Sequence, residues 1–185
     1  LDLVEPEVRY LVEDDIPSFH TQVRLPGGRT FVLHGVHPRP PYPAESDDTT
    51  ERDAELLLVG RSVKERGGPT VVAGDLNDVA WSHTTHLFQR VSGLLDPRVG
   101  RGMYSTFDAR NPILRWPLDH VFHSDDFKLV RLERLPAWGS DHFPMLVRLR
   151  LEPGAPLEQE EPRPEHEDIE EAEEKIDRAV APQAP

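Results

Sequence analysis

Short apolar runs bounded by turn residues recur along the chain, and their lengths predict strands. Pro26-Gly27-Gly28 lies between the second and third runs and is typical of a hairpin turn. Residues 37–43 contain repeated prolines, which lack a backbone donor, so we expect no regular structure there. The predicted strands are residues 8–12, 19–25, 30–36, 70–73, 119–122 and 143–151.

Two other segments carry the start and stop signals of helices. The first helix should end near Arg66, before a Gly-Gly-Pro stop, and its apolar positions form an inward stripe only roughly. Ser82 is the predicted N-cap of a second helix that ends near Ser92, with Gly93 as its stop. The N-cap candidates of the first helix are Asp47, Asp48, Thr49 and Thr50. Its apolar stripe consists of Ala54, Leu57, Leu58 and Val63.

The first predicted helix connects two predicted strands, residues 30–36 and 70–73. A strand–helix–strand unit of this length usually pairs its strands in parallel. His37 and Asp75 closely follow the two strands, so we expect both side chains at the same edge of the sheet.

Composition changes after residue 151. Residues 152–185 contain 12 acidic and 3 basic residues, a net charge of −9, with prolines among the glutamates. Such a segment buries too little apolar surface to offset the entropy of ordering. We therefore predict a domain over residues 1–151 and a disordered acidic tail over residues 152–185. The alternative is a small docking helix over residues 168–180, with one apolar side formed by Ile169, Ala172, Ile176 and Val180.

The bulk composition excludes several kinds of site. The chain has no cysteine, which rules out disulfides and thiolate zinc sites. Residues 1–151 carry 22 acidic and 18 basic residues, a net charge of −4, and lack the basic stripe of a protein that binds long nucleic acid tightly. No apolar run reaches the roughly 18 residues of a membrane helix, and no signal peptide is present. We expect any membrane anchor to lie upstream of Leu1, and the localisation stays open between a cytoplasmic protein and one anchored through such a segment.

Three short acidic motifs adjoin the apolar runs and carry the candidate chemistry. Side chains at strand ends can converge on one rim of a sheet, where open α/β proteins hold their sites. Carboxylates, an amide and imidazoles at one rim suit a hard divalent cation and a phosphate ester. In isolation, the Gly-Asp and Asn-Asp pairs would be more typical of turns. The motifs are Gly74-Asp75-Leu76-Asn77, Leu118-Asp119-His120-Val121 and Ser140-Asp141-His142.

Together with the strand-end His37, these ordered motifs resemble the catalytic core of the endonuclease/exonuclease/phosphatase superfamily, which has the deoxyribonuclease-I-like fold. The resemblance covers about residues 3–151, and the Trp81-Ser82 pair also fits many bacterial members. It implies an α/β (α+β) fold, a four-layered sandwich of two sheets with helices outside. It also implies metal-dependent hydrolysis of a phosphodiester by an activated water.

The resemblance implies a role for each motif residue. Asp75 orients and deprotonates the attacking water and is also a metal ligand, while Asn77 holds that water or a phosphate oxygen. His142 is the phosphate-binding or proton-donating imidazole, and Asp119 accepts a hydrogen bond from its ring and stabilises its charged form. Asp141 is a ligand of Mg²⁺, directly or through water, with Mn²⁺ as the alternative ion.

His37 would contact the scissile phosphate from the opposite side. His34 competes for this role, but His37 is preferred because it stands at the strand end. Asp78 is expected to be a turn or helix-capping residue, and His120 to be structural. Three aromatic residues are candidates to line the substrate cleft, although aromatic side chains more often belong to a core: Trp81, Phe107 and Trp116.

The resemblance also implies that the N-terminal half of the family domain is absent from this sequence. Family domains begin with a half that carries an Asn and a metal-binding Glu at strand ends, and no residue before His37 matches either motif. We therefore expect the C-terminal portion of a domain, which by itself would be inactive and either poorly soluble or partly molten. The substrate class stays open among nucleic acid, a lipid head group and a small phosphodiester. The alternative function is a noncatalytic binding or scaffold module.

Overall fold

The computed structural model describes residues 1–40, 49–152 and 159–181, so the candidate caps Asp47 and Asp48 and the prolines of residues 41–43 lie outside it. The strands are β1 Asp2–Tyr10, β2 Pro17–Arg24, β3 Thr30–Gly35, β4 Thr70–Asp75, β5 Asp119–His123, β6 Phe127–Arg134 and β7 Met145–Leu151. The helices are α1 Thr50–Arg66, α2 His83–Ser92 and α3 His166–Val180. Within the described ranges, no helix is both long and apolar enough to cross a membrane.

Strands β1 to β5 form one sheet in sequential order, and β6 pairs with β7 in a second sheet. Every pairing is antiparallel except that of β3 with β4, which run parallel because α1 carries the chain back along the sheet. The backbone N–H of Val36 donates to the oxygen of Ala73 at 3.1 Å, so the two strands end side by side. The structure thus confirms the mixed α/β fold class and has the parallel crossover that the sequence predicts.

Helices α1 and α2 cover one face of the five-stranded sheet and enclose the main core. The rings of Phe88 on α2 and Phe122 on β5 lie 5.1 Å apart between centroids. Fully burying an aliphatic or aromatic side chain contributes about 1.5–3 kcal/mol to stability. The buried side chains between the helices and the sheet therefore stabilise the packing of the two layers strongly. The core cluster consists of Val36, Leu56, Val59, Val63, Val72, Leu76, Phe88, Leu94 and Phe122.

Strand β6 is an element that the apolar pattern does not predict. Its sequence places Lys128, Arg131 and Glu133 among apolar residues, and a register shift between Leu129 and Arg131 breaks the strict alternation. Most of its side chains are only partly buried, as expected for a two-stranded sheet. A short, highly charged strand of this kind becomes recognisable only through its pairing with β7.

Strand β1 is the edge of the five-stranded sheet. The side chains of Leu3, Val8 and Tyr10 on this strand are more than half exposed. Exposed apolar edge strands favour association, which is the physical basis for the poor solubility expected of the isolated chain. That expectation stays a prediction.

Helix α3 differs from the disordered tail that composition predicts for residues 152–185. Its Ala172 and Ile176 are buried against Leu57 of α1 and Leu87 of α2. The reason is that part of its charge is paired, so folding does not require burying lone acids. The ion pairs are Asp168 with Arg90 at 2.8 Å, Glu171 with His83 at 2.8 Å and Lys175 with Asp53 at 2.9 Å. This arrangement matches the docking helix that the sequence offers as the alternative to a disordered tail. Residues 153–158 and 182–185 lie outside the described part of the chain.

Candidate active site

The chain turns sharply after β4, and this turn carries two predicted catalytic residues. At Gly74 an added Cβ would lie 1.8 Å from the backbone oxygen of Val36, so only glycine allows this approach of β4 to the end of β3. Leu76 points into the core and anchors the turn. Asn77 has a φ of 49°, a left-handed conformation that Asn tolerates better than most residues. The turn therefore holds Asp75 and Asn77 at the sheet edge.

Asp75, Asp119 and His142 come together at that edge. Pairing of β4 with β5 places Asp75 opposite Asp119, and the β6–β7 connection supplies His142. His142 Nδ1 lies 2.7 Å from Asp119 Oδ2, and its Nε2 lies 3.6 Å from Asp75 Oδ2. One ligand atom of each residue lies within 4.8 Å of the others. The three motifs of the sequence thus converge on one cluster, which we call the Asp–Asp–His cluster.

An irregular segment before β5 holds the imidazole in place. The ring centroids of Phe107 and His142 are 5.0 Å apart. The backbone N–H of Phe143 donates to the oxygen of Thr106 at 2.8 Å, and the N–H of His142 donates to Ser140 Oγ at 3.0 Å. Phe107 therefore lies next to the site, as expected for one of the three candidate aromatic residues.

The electrostatics of the cluster favour Asp75 as a proton acceptor beside a protonated His142. Burial raises the pKa of the Asp75 carboxyl, and the nearby Asp119 adds to this, against the hydrogen bond from the Asn77 N–H. Burial opposes the charged form of His142, but the hydrogen bond to Asp119 and the charge of Asp75 outweigh it, so the pKa of His142 is raised. A carboxylate with a raised pKa accepts a proton more readily, and the imidazole retains its charge to higher pH.

His37 lies on the same carboxylate as His142. Its Nε2 is 3.9 Å from Asp75 Oδ2, and its side chain is 70% exposed and open to a ligand. His34 is instead buried within β3, with its Nδ1 2.6 Å from Nδ1 of His20. The structure therefore brings His37, and not His34, to the Asp–Asp–His cluster. Asn77 Nδ2 donates to the oxygen of Pro38 at 2.9 Å and so ties the turn to the segment after His37.

Asp141 and Trp81 stand apart from the cluster. The Asp141 carboxylate lies 3.0 Å from Arg110 Nη2 and does not belong to the group of ligand atoms found in the described residues. Trp81 is half exposed in the connection between β4 and α2. The metal role of Asp141 and the substrate role of Trp81 stay predictions.

Asp78 and His120 are structural in their contacts. Asp78 Oδ2 accepts hydrogen bonds from the hydroxyls of Ser82 and Thr85, which fixes the start of α2 as the capping interpretation expects. His120 is buried, and its Nε2 lies 2.9 Å from the oxygen of Asp78. Burial and the adjacent Arg98 lower the pKa of His120 to about 4. This imidazole is uncharged and supports the turn.

Arg52 and Arg110 contact the predicted site residues without belonging to any sequence motif. Arg52 Nη1 donates to the backbone oxygen of Asn77 at 2.8 Å, and Arg110 pairs with Asp141. The only hint for Arg52 is its place in the first turn of a helix, where the helix dipole favours acids over bases. Arg110 lies in an irregular segment and has no comparable signal in the sequence.

The donor set fits a divalent cation. Mg²⁺ prefers carboxylate oxygens and keeps several waters as ligands. The carboxylates of Asp75 and Asp119 are therefore sufficient protein ligands in this part of the site. Mn²⁺ also prefers carboxylate and water oxygens, so the same carboxylates would suit it.

Comparisons with known proteins agree with this geometry. The family model described as "Endonuclease/Exonuclease/phosphatase family" matches residues 1–142. A UPF0294 protein of Vibrio cholerae serotype O1 is 29% identical over 136 residues, which are 72% of this chain and 45% of the relative. The chain thus spans about half the length of the curated relatives it matches.

Solved structures show the same fold. A mannosyl-6-phosphatase of Bacteroides thetaiotaomicron superposes with a TM-score of 0.63 at 21% identity, over 80% of this chain and 67% of that one. D. rerio TDP2, solved with a single-strand DNA product, superposes with a TM-score of 0.63 at 17% identity, over 80% of this chain and 68% of that one. With the family model matched over most of the chain, the conclusion is that this chain belongs to the endonuclease/exonuclease/phosphatase family.

Proposed function

We propose that this protein hydrolyses phosphate esters, and phosphodiesters in particular, with an activated water and a divalent cation. The observation that carries the proposal is the Asp–Asp–His cluster, in which one imidazole contacts Asp119 at 2.7 Å and faces Asp75 at 3.6 Å. Family membership and the neighbouring phosphatase and TDP2 folds support a hydrolase of phosphoesters.

In this proposal the residues of the site divide the chemistry between them. Asp75 takes a proton from water as the water oxygen forms its bond to phosphorus. The bond from phosphorus to the leaving oxygen breaks, and charged His142 gives that oxygen a proton or stabilises its charge. Asp119 keeps the His142 ring oriented and charged. Asn77 and His37 hold the water and the phosphate oxygens.

The carboxylates of Asp75 and Asp119 would hold Mg²⁺, or Mn²⁺ in its place. When bound, the cation would neutralise phosphate charge that the acidic surroundings otherwise repel. Asp141, whose Oδ2 lies 3.0 Å from Arg110 Nη2, is a further candidate ligand, directly or through water.

The substrate belongs to one of three classes: nucleic acid, a lipid head group or a small phosphodiester. The net charge of −4 over residues 1–151 favours a substrate that is held locally at its phosphate over a long polyanion gripped along its length. Trp81 is a candidate contact for the rest of the substrate.

The test is turnover of a phosphoester panel by the full-length natural protein, with Mg²⁺ and after chelation by EDTA. Asp75→Asn, Asn77→Ala and His142→Ala should each lower kcat by about 10²–10⁴-fold, the usual contribution of a positioned acid or base. Thermal stability should stay near that of the wild type in Asp75→Asn and His142→Ala, and fall slightly in Asn77→Ala because Ala tolerates the φ of 49° less well than Asn. His86→Ala, at an exposed position of α2, is the matched control.

Each result has a defined meaning. Unchanged turnover in one of the three variants removes that residue from the mechanism, and a much lower melting temperature shows a structural role instead. Activity that survives EDTA contradicts the need for a cation. Binding of phosphoesters without turnover under any condition favours the noncatalytic binding module.

A further inference from the structure

A chain of charged side chains leads from the Asp75–Asn77 turn to helix α3. It begins at Arg52, whose side chain is only 10% exposed. Its Nη1 donates to the backbone oxygen of Asn77 at 2.8 Å, and its Nη2 and Nε donate to Asp53 Oδ1 at 2.9 and 3.1 Å. Arg52 therefore joins the turn that carries the proposed base to the first turn of α1.

The other oxygen of Asp53 continues the chain to α3. Asp53 is 2% exposed, and its Oδ2 accepts hydrogen bonds from Lys175 Nζ at 2.9 Å and from Thr84 Oγ1 at 2.7 Å. Burial disfavours the charge of Asp53, but the hydrogen bonds from Lys175, Thr84 and Arg52 outweigh it and lower the pKa of the carboxyl. The carboxylate is thus ionised and depends on two cations, one from α1 and one from α3.

The turn needs this support. Asn77 has a φ of 49°, a conformation that a non-glycine residue keeps only when its surroundings hold it. The bond from Arg52 to the Asn77 oxygen restrains this residue directly. Loss of Lys175 would leave Asp53 with Arg52 as its only cation among the described contacts, so the guanidinium, which also faces Asp78 Oδ1 at 3.7 Å, would be attracted more strongly to Asp53.

We propose that Arg52 and Lys175 are positioning residues for the Asp75–Asn77 turn, so that α3 helps to set the geometry of the active site. Helix α3 lies beyond the residues 1–142 matched by the family model, and no motif points to it. The expected effect on kcat rests on the proposed hydrolase function, whereas the expected effect on the conformation of the turn does not.

The kinetic test compares three lysine variants in the full-length natural protein. Lys175→Met should lower kcat about ten-fold with little change in KM, because small displacements of a catalytic group lower the rate of the chemical step. Lys175→Arg keeps the donor and should restore most of the activity. Lys64→Met is the matched control, since Lys64 also joins α1 to a residue after 151, Glu161 at 3.4 Å, but does so away from the turn. Equal kcat in Lys175→Met and Lys64→Met would overturn the proposal.

A double-mutant cycle tests whether both residues act through one chain. Arg52→Met should lower kcat more than Lys175→Met does, and the double variant should fall no further than Arg52→Met alone. Factors that multiply in the double variant would show two independent effects and overturn the coupling. If Arg52→Met does not fold, the comparison of Lys175→Met with Lys175→Arg decides.

Hydrogen exchange of the turn provides a readout without substrate. The Asn77 N–H donates to Asp75 Oδ1 at 2.9 Å, so its protection reports the turn itself. Lys175→Met should speed exchange at Asn77, and Lys64→Met should leave it unchanged. If the wild type hydrolyses no phosphoester, the proposed function fails and this exchange still decides the inference. If exchange in Lys175→Met equals that of the wild type, the inference fails even for an active hydrolase.

Discussion

Asp119, whose carboxylate lies 2.7 Å from Nδ1, contributes most to the raised pKa of His142. Burial by itself would favour the neutral ring, so the carboxylate supplies the electrostatic stabilisation of the imidazolium. Asp75 adds to this from the other ring nitrogen, 3.6 Å away. At the scale of residues, the carboxylates of Asp119 and Asp75 therefore favour the protonated form of the His142 imidazole.

We expect Asp119→Asn to move the alkaline limb of the pH profile of kcat/KM to lower pH. The amide keeps the shape of the side chain but removes the charge that raises the pKa of His142, so the ring loses its proton earlier. The measurement is kcat/KM across a pH series. Asp14→Asn, at an exposed position between β1 and β2, is the control. A lower rate with the alkaline limb in its original place would contradict the assigned role.

Gly74→Ala should destabilise the fold by about 1–3 kcal/mol, the usual cost of overpacking, because the new methyl group meets the Val36 oxygen at 1.8 Å. The expected displacement separates the ends of β3 and β4. Urea unfolding measures the change. Gly27→Ala is the matched control, since a Cβ there meets nothing within 4 Å, and it should change stability by less than about 0.5 kcal/mol. Equal stability of both variants would show that the strand ends can adjust.

At the scale of elements, the packing of α1 on two sides explains why its sequence shows only a rough apolar stripe. Leu56 and Val59 pack into the core under the sheet, while Leu57 packs against α3 and α2. A helix buried on two sides shows no single apolar face, so periodicity identifies it poorly. The second buried side exists only because α3 docks there.

Ile176→Ala should lower the free energy of unfolding by about 2–4 kcal/mol, the typical cost of truncating a buried isoleucine. The side chain is buried between α1 and α2 in the docked helix. Val180→Ala is the matched control on the same helix, because Val180 is mostly exposed. The measurement is urea unfolding followed by circular dichroism. No difference between the two variants would indicate that α3 does not dock, as its composition predicts.

At the scale of the whole molecule, buried histidines make stability depend on pH. Burial lowers the pKa of His20, His34, His120 and His123, and that of His34 and His120 to about 4. An unfolded histidine titrates near about 6.5, so below this pH the unfolded chain binds protons that the folded chain does not. Stability from these residues is complete above that pH and is lost as the pH falls toward 4. Glu55, Asp75 and His142 act in the opposite sense because their pKa values are raised, that of Glu55 to about 7 by burial.

Because two of the four buried histidines have a pKa of about 4, we expect the free energy of unfolding to be lower near pH 5 than near pH 7.5. Urea unfolding at both values measures the difference. His34→Gln should reduce it, whereas His86→Gln, at an exposed position, should leave it unchanged. Equal stability at both pH values would contradict the assigned buried, uncharged histidines.

Local rules account for much of the fold and of the candidate site. Turn glycines, helix caps and apolar runs predict the strand–helix–strand unit, and the crossover rule then places His37 beside Asp75, where the structure has them 3.9 Å apart. The order of the acidic motifs supports a phosphoester site through resemblance. These features are encoded over a few residues, so they can be recognised without the rest of the chain.

The sequence by itself determined the core strands, the crossover and the candidate residues that meet at one edge of the sheet. Only the tertiary structure decided the charge of His142, the pairing of Asp141 with Arg110, strand β6 and the docking of α3. Each of these depends on partners far apart along the chain, such as Lys175 and Asp53. Composition counts the charges of a segment but does not show which of them are paired, and pairing is what turns an acidic tail into a packed helix.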